Sequence, residues 1–451
     1  MSQPDTIEPT LRGIRACLEG AIPAIAATCA ADGTPNVAYI SQVLFVDDGH
    51  VALSFQFFNK TRQNILVNPF ANVLVMDPVT ARCYRLHLRY LHTESQGPLF
   101  ERMKAQLAGI ASHCGMADVF ALKGSDIYAV ERIETVPGET LAPAPPRADL
   151  LIALRLCTQR MTRCTTLAEL LRETLAALEE HLSIAHSMVL MLDAAAAQLY
   201  TVASHGYARS GVGSEIKLGQ GVIGMAAREV TPVRISHMTH AALYSHTIRS
   251  SLGEMMQAEP SIPYPGLAAP HSQLAVPLIS AQRTVGVLFV ESPFDLQFRY
   301  LEEDALMTLG AHLAAAIDAL QQPAEETATA PEAPPAAIAP PSTPSVPVRV
   351  RYFDSNCSIF VNDVYLIKGV AGAILWKLLR DHESSARVDF SNRELRLDPA
   401  LRLPDVADNL EARLLLLQRR LQESDGAIQL QKTGRGRMRL VLAGSVHLIA
   451  A

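Results

Sequence analysis

The chain lacks paired cysteines and long apolar runs, and each absence excludes a class of protein. Its seven Cys are scattered, with no Cys-x-x-Cys pair, which argues against a disulfide scaffold and a zinc ribbon. No run of about 18 uncharged apolar residues exists, so no membrane-spanning helix is predicted. The start, MSQPDTIEPT, lacks the basic and apolar parts of a signal peptide. We therefore expect a cytoplasmic protein with no membrane partner.

Length and charge indicate several domains with different surroundings. The 451 residues allow about three domains, and 49% apolar residues are ample for their cores. Residues 348–451 hold 16 Lys and Arg against 12 Asp and Glu, a net charge of +4. Residues 1–347 hold 23 against 33, a net charge of −10. Such a bipolar chain is expected when one end meets a polyanion.

A Pro- and Ala-rich segment separates these two parts. Residues 323–347 contain eight Pro and seven Ala, too little apolar bulk to bury and too much Pro for a helix. We assign residues 322–347 to a disordered linker.

The residues after the linker alternate between strand and helix patterns. Asn362-Asp363 is a turn pair between two apolar runs and predicts a hairpin. Residues 369–382 have helical apolar spacing, and Ser391 with Glu394 is typical of a capped second helix. A third helix is predicted from Pro404, with a leucine stripe, to Gly426. A last hairpin with a basic tip follows.

The segments DNLEARLLLLQRRL and TGRGRMRLVL resemble the third helix and wing of the winged-helix effector domain of two-component response regulators. This resemblance implies that residues 348–451 form a winged helix-turn-helix that binds DNA, with the helix in the major groove. The residues carried over by position are Asn409, Arg413 and Arg420 on the helix and Lys432, Arg435, Arg437 and Arg439 in the wing. The sequence departs from the family at Asp405, Asp408 and Glu411, which place carboxylates where phosphates would approach. A degenerate winged helix used for protein contacts is therefore the alternative.

The N-terminal part is predicted to be β-rich. Turns at Asp32-Gly33 and Asp47-Asp48-Gly49 separate apolar strands and indicate consecutive hairpins. The piece FFNKTRQNILVNPFANVLVMDP resembles the pyridoxamine 5′-phosphate oxidase-like split β-barrel. We assign residues 1–147 to such a barrel.

This resemblance implies an FMN site. Its expected residues are Gln56 near the flavin ring and Asn59, Lys60, Thr61 and Arg62 around the phosphate. One basic residue of the family's Ser-Arg-Lys pattern is replaced by a hydroxyl, and Arg62 can compensate. Relatives of this barrel also bind haem or deazaflavin, or nothing, so a ligand-free dimerisation module is the alternative. No acid/base or nucleophile constellation stands out, and we assign no catalytic residue.

The middle part resembles a GAF domain, which we place at residues 148–321. Its signs are a long amphipathic stretch from Leu150 to Leu182, the Gly-rich turn GQGVIGMAAREVTPVRI and the closing hairpin HSQLAVPLISAQRTVGVLFVES. GAF domains hold small ligands under a variable segment, here residues 236–270. The candidate ligand residues are His237, His240, Tyr244, His246, Arg249 and Tyr264. Histidines suit a metal or haem, but their spacing matches no zinc pattern, so we assign no metal and surface histidines remain the alternative.

Together the patterns predict a multidomain α+β protein: a split β-barrel, a GAF α/β sandwich and a C-terminal winged helix. We interpret it as a homodimeric one-component transcriptional regulator that senses a small molecule or flavin redox state. The alternative is an FMN-dependent oxidoreductase with regulatory GAF and winged-helix appendages.

Overall fold

A computed structural model describes residues 8–18, 22–56, 60–113, 122–142, 149–236, 262–321, 348–401, 410–424, 426–434 and 436–450. The predicted linker, residues 322–347, lies outside these ranges. Among the described residues, no helix combines the length and apolar character needed to cross a bilayer.

The N-terminal region is a seven-stranded antiparallel sheet with two helices. The strands are β1 (Ala24–Cys29), β2 (Pro35–Ile40), β3 (Val43–Asp47), β4 (His50–Phe55), β5 (Phe70–Met76), β6 (Cys83–Glu94) and β7 (Gly124–Val136). The helices are α1 (Lys60–Val67) and α2 (Pro98–His113). The strand order is β2-β1-β5-β6-β7-β4-β3. Both predicted hairpins are present, and Gly33 has a φ of 86° in the first turn, a conformation that glycine adopts without strain.

The middle region is a six-stranded antiparallel sheet between helices. Its helices are α3 (Leu150–Met161), α4 (Leu167–Leu182), α5 (Gly221–Glu229) and α6 (Tyr300–Gln321). Its strands are β8 (His186–Asp193), β9 (Gln198–His205), β10 (Glu215–Lys217), β11 (Val233–Ile235), β12 (Ser272–Ser280) and β13 (Arg283–Ser292). The order is β10-β9-β8-β13-β12-β11. The amphipathic stretch from Leu150 to Leu182 forms two helices, because the Thr166 side chain caps a new helix by accepting from the Glu169 amide.

The C-terminal region has two small sheets around three helices. The helices are α7 (Gly369–Ser385), α8 (Asn392–Leu397) and α9 (Leu410–Glu423). The strands are β14 (Val348–Phe353), β15 (Ser358–Val361), β16 (Val364–Ile367), β17 (Asp389–Ser391), β18 (Ile428–Gly434), β19 (Arg437–Leu442) and β20 (Val446–Ala450). The first sheet has the order β16-β15-β14-β20 and the second β17-β19-β18.

Most of these C-terminal elements were predicted from short sequence signals. Asn362 and Asp363 both have positive φ in the β15–β16 turn, and Ser391 and Glu394 form the predicted capping box. The parallel pairing of β20 with β14 was not predicted, because nothing local in the sequence indicates that long-range partner. Pro404, the predicted start of the third helix, lies outside the described residues.

The three regions pack against one another. Helix α2 places Phe100 and Met103 in the core of the N-terminal region and Ala105 in the core beneath α5 of the middle region. The middle and C-terminal regions share one continuous apolar core, which includes Leu175 of α4 and Leu416 of α9. A change in one region can therefore reach the next through packed side chains.

Candidate functional sites

The start of α1 carries two of the residues predicted to hold a phosphate. Lys60 is exposed at the first position of the helix, where unpaired backbone amides favour an anion. The Thr61 Oγ1 atom accepts a hydrogen bond of 2.9 Å from Asn36 Nδ2, which leaves the hydroxyl hydrogen of Thr61 able to donate. The predicted contact Asn59 lies outside the described residues. This helix start can bind a phosphate through a cation, a hydroxyl and the backbone.

Arg62 forms an internal ion pair, whereas we expected it to contact a phosphate. Its Nη1 atom lies 2.6 Å from Asp126 Oδ1, and its Nη2 atom donates to Thr93 Oγ1 at 2.9 Å. The guanidinium also lies over the Phe55 ring, 4.6 Å from its centroid. Both ends of the ion pair are nearly buried, and burial raises the pKa of Asp126 despite the arginine. The structure thus gives the charge of Arg62 an internal partner.

Four buried polar atoms lie unsatisfied along β4 and the backbone that pairs with it, in what we call the polar row. They are Gln42 Oε1, Ser54 Oγ, Gln56 Oε1 and Ser125 Oγ, and no hydrogen-bond partner for them exists among the described residues. Ser54 pairs with Ser125 across β4 and β7, and the Ser54 amide donates to the Gln42 carbonyl at 3.1 Å. Gln42 Nε2 also donates to Gln106 of α2. A buried polar atom without a partner costs about 1–3 kcal/mol, so the row suits a bound group that supplies hydrogen bonds.

The polar row and the start of α1 offer the two kinds of group that FMN requires, hydrogen-bond acceptors for the ring and a cation for the phosphate. Gln56, the residue predicted near the flavin ring, is only 7% exposed and offers its carbonyl oxygen without a partner. Lys60 lies four residues further along the chain and supplies the positive charge that a phosphate requires. The residues present therefore fit the cofactor, with Lys60 rather than Arg62 as the described cation for its phosphate.

The middle region holds a second polar site, which we call the Glu291 cluster. It consists of Glu291 on β13, His186 on β8, Gln273 on β12 and Tyr207. Glu291 pairs in register with both His186 and Gln273, so three neighbouring strands present these side chains together. The His186 and Tyr207 rings lie 5.5 Å apart, and His186 Nδ1 has no hydrogen-bond partner among the described residues.

Glu291 is the carboxyl group at the centre of this cluster. It is 1% exposed, and its oxygens accept from the Leu267 amide at 2.8 Å and from Gln273 Nε2 at 3.1 Å. Burial raises the pKa of Glu291, although these donors oppose the shift. Burial also raises the pKa of Tyr207, so its hydroxyl stays protonated. The cluster can accept hydrogen bonds from a ligand, and Glu291 can hold a proton there.

The raised pKa predicts an unusual pH dependence of stability. The folded chain holds a proton on Glu291 more tightly than the unfolded chain, so the stability that this proton gives is lost as pH rises through the folded pKa. We expect Glu291→Gln to raise the melting temperature relative to wild type by an amount that grows between about pH 5 and pH 8. Differential scanning calorimetry across that interval measures it.

The matched control is Glu173→Gln. Hydrogen bonding from Arg160 lowers the pKa of Glu173, which is therefore already ionised throughout this interval, and its arginine partners do not titrate there. The difference in melting temperature between this variant and wild type should stay constant across the interval. A constant difference for Glu291→Gln as well would contradict a raised pKa at that carboxyl.

Five of the six predicted GAF ligand residues lie outside the part of the chain that the structure describes. They are His237, His240, Tyr244, His246 and Arg249. Tyr264 is described, and its ring packs edge-on against Phe289 with centroids 6.5 Å apart. No group of His, Cys, Asp or Glu among the described residues is arranged to hold a metal ion.

Sequence reasoning missed Glu291, although a signal existed. The carboxylate ends the apolar run VGVLFVES, and a charge next to a buried strand is worth noting because it must find partners. Its partners come from β8, β12 and the Leu267 loop, so their convergence depends on the sheet order.

The face of α9 predicted to contact DNA is covered in the structure. Arg413 is 7% exposed, and its Nη2 atom lies 2.9 Å from Asp193 Oδ2 at the end of β8. Arg420 donates to the Leu366 carbonyl at 3.1 Å and pairs with Glu423 at 2.7 Å. Asn409 lies outside the described residues. We expected both arginines on an open face, and the difference arises because the middle region packs against that face.

The β18–β19 hairpin remains at the surface. Lys432 and Arg437 are exposed, whereas Arg439 pairs with Asp389 of β17 through two hydrogen bonds of 2.8 and 2.9 Å. Arg435 lies outside the described residues. The hairpin thus exposes the basic side chains of Lys432 and Arg437. Arg439 instead links β19 to β17 through Asp389.

Models of two known families match separate parts of the chain. The pyridoxamine 5′-phosphate oxidase family matches residues 12–130, and the GAF domain family matches residues 164–318. The predictions of a pyridoxamine 5′-phosphate oxidase-like barrel and of a GAF domain are therefore confirmed. No curated protein is significantly similar to the chain.

Among the solved structures that are similar to parts of the chain, three examples share little sequence identity with it. The GAF domain of Acinetobacter phosphoenolpyruvate-protein phosphotransferase is 22% identical, over 38% of this chain and 92% of that one, with a TM-score of 0.30. Free methionine-R-sulfoxide reductase from Neisseria meningitidis, in complex with its substrate, is 21% identical over 40% and 96%, with a TM-score of 0.30. An FMN-binding protein from Syntrophomonas wolfei is 15% identical over 30% and 90%, with a TM-score of 0.24.

Proposed function

We propose that the protein is a one-component regulator in which the barrel and the GAF domain sense small molecules and the C-terminal region binds DNA. The observation that carries the proposal is the placement of α9. This helix bears Arg413, Arg419 and Arg420 next to a basic hairpin, and it packs directly on the GAF sheet. A nucleic-acid-binding helix in contact with a ligand-binding domain is the arrangement that a sensor requires.

The order of C-terminal elements supports a DNA-binding output. Helices α7, α8 and α9 are followed by the β18–β19 hairpin, in the order of a winged helix-turn-helix. The hairpin exposes Lys432 and Arg437, which would contact phosphates.

A selection from a random-sequence duplex library tests the DNA-binding proposal. It is run with the full-length wild-type chain and with Asp193→Lys, in which the carboxylate covering Arg413 is replaced. Enrichment of a sequence motif, with retention that falls steeply as salt rises, would support the proposal. Failure of both proteins to retain any duplex at low salt would overturn it. A flavin that a reduced nicotinamide bleaches at useful turnover would favour the oxidoreductase instead.

For the barrel, we propose FMN as the cofactor, held by the polar row and the start of α1. When bound, FMN would supply a redox-active ring. Gln42, Ser54, Gln56 and Ser125 would satisfy their unpaired atoms on it, and Lys60 would bind the phosphate.

Lys60→Ala should reduce FMN binding to the purified protein. A charge-assisted hydrogen bond to a phosphate contributes about 1.5–3 kcal/mol, so its loss should weaken the affinity about tenfold or more. Flavin absorbance after gel filtration, together with a titration of added FMN, measures the change. Lys217→Ala, an exposed lysine on the GAF edge strand β10, is the control and should retain wild-type occupancy. Full flavin occupancy in Lys60→Ala would remove this residue from the site.

The proposal includes a homodimer. Val37 and Tyr39 of β2 and Phe70 of β5 are exposed together on the outer face of the sheet, where Tyr39 keeps 80% of its surface. A second copy would cover this apolar face. Native mass spectrometry of fresh protein measures the subunit number, and a single-chain mass would contradict the dimer.

A further inference from the structure

Two sides of helix α9 are buried. Only one of them packs against the C-terminal region to which the helix belongs. Leu410, Leu417 and Leu421 lie at helical spacing on the side that packs against the C-terminal core. Arg413, Leu416 and Arg420 follow the same spacing on a different side. That second side is the one expected to meet DNA, and it faces the GAF domain instead.

The contact centres on a buried ion pair. The Arg413 and Asp193 side chains are 9% and 12% exposed, and the guanidinium lies 5.1 Å from the centroid of the Tyr200 ring on β9. An arginine held by a carboxylate and an aromatic face cannot contact a phosphate or a base edge at the same time. Docking on the GAF domain and insertion of α9 into a groove are therefore mutually exclusive.

Further contacts surround the ion pair. Arg419 donates to the Val202 carbonyl of β9, Ser210 donates to Glu423, and Lys368 pairs with Glu215 of β10 at 2.9 Å. Burial lowers the pKa of Arg419, which reflects its loss of solvent in this contact.

The backbone at Gly213 belongs to the same contact. Gly213 has a φ of 90°, which favours glycine, and a Cβ atom here would lie only 2.6 Å from Ile262 Cδ1. The same Cβ atom would lie 3.5 Å from Leu416 Cδ1 of α9, an ordinary van der Waals distance, so α9 packs against this backbone without requiring a glycine.

We propose that docking of α9 on the β9–β10 edge of the GAF domain is an autoinhibitory contact that withholds the helix from DNA. This inference rests on the proposed DNA-binding function and adds its regulation. The apparent DNA affinity is then the affinity of the open state multiplied by the fraction of molecules that are open, and any ligand that favours the open state restores it.

Charge reversals on the GAF side test this, because they leave α9 unchanged. Asp193→Lys places a cation against Arg413, and Glu215→Lys places one against Lys368. Asp318→Lys is the matched control: it makes the same charge change on the GAF surface, where Asp318 pairs only loosely with Arg283 at 3.5 Å. Full-length proteins are titrated against the selected duplex by fluorescence anisotropy at fixed salt.

We expect Asp193→Lys and Glu215→Lys each to bind the duplex about tenfold more tightly than both wild type and Asp318→Lys. Amide hydrogen exchange in residues 410–423 should accelerate in the same two variants, because the helix loses its cover. If all four proteins bind the duplex equally and exchange at equal rates, autoinhibition is overturned while DNA binding stands. If none binds any duplex, both the inference and the proposed function fail.

Discussion

Replacing Arg62 with methionine will destabilise the barrel by about 3–5 kcal/mol, because removal of one partner leaves a buried charge uncompensated. The charge left behind is Asp126, whose side chain is 8% exposed. Thr93 Oγ1 would still donate to it at 2.6 Å, but a hydroxyl does not replace a cation. Urea denaturation followed by circular dichroism measures the loss.

Two further variants separate the ion pair from general effects of the substitution. Arg12→Met removes an arginine whose partner Asp48 is largely exposed, so stability should change little. The double variant Arg62→Met/Asp126→Leu should recover much of the loss, since both charges are then absent. Equal stability of Arg62→Met and wild type would show that Asp126 does not depend on this arginine.

Glu303→Gln will cause a loss of similar size at the contact between the barrel and the GAF domain. Glu303 on α6 forms an ion pair with Arg234 at 2.7 Å, and both side chains are 2% exposed. Glu303 also pairs with Arg102 of α2. Without the carboxylate, two arginines lose their shared anion, at a cost of about 3–5 kcal/mol. The guanidinium of Arg234 also stacks on the Tyr300 ring, 4.5 Å from its centroid, and that contact would remain.

Calorimetry distinguishes a local loss from a loss of coupling. Because Arg102 joins the barrel to the GAF domain through Glu303, the variant should also separate one unfolding transition into two. Asp304→Asn is the neighbouring control. Its partner is Arg15 at 2.9 Å, but Asp304 is 58% exposed, so its replacement should leave the transition intact. An unchanged transition in Glu303→Gln would mean that other contacts couple the two domains.

The features that the sequence predicted correctly are those encoded over short distances. The turn at Asn362-Asp363, the capping box at Ser391 and the leucine stripe of α9 each depend on neighbours within a few residues. The two confirmed domain resemblances likewise rest on contiguous motifs.

The features that the sequence could not predict depend on partners far along the chain. Arg413 has the pattern of an exposed helix residue, and only the packing of the GAF edge against α9 buries it. Arg62 follows a phosphate-binding motif, but Asp126 of β7 reaches its guanidinium once the sheet forms. In both cases helical position predicts the direction of a side chain but not which distant group will meet it.

Covalent connection makes the contact between α9 and the GAF domain insensitive to dilution. The two partners belong to one chain and are joined through residues 322–347, so each meets the other at an effective concentration that does not depend on how dilute the protein is. A competing duplex must overcome that local excess however scarce the protein is. If the proposed autoinhibition holds, the fraction of molecules with α9 released is set by effector and duplex, and dilution of the protein leaves the docking equilibrium itself unchanged.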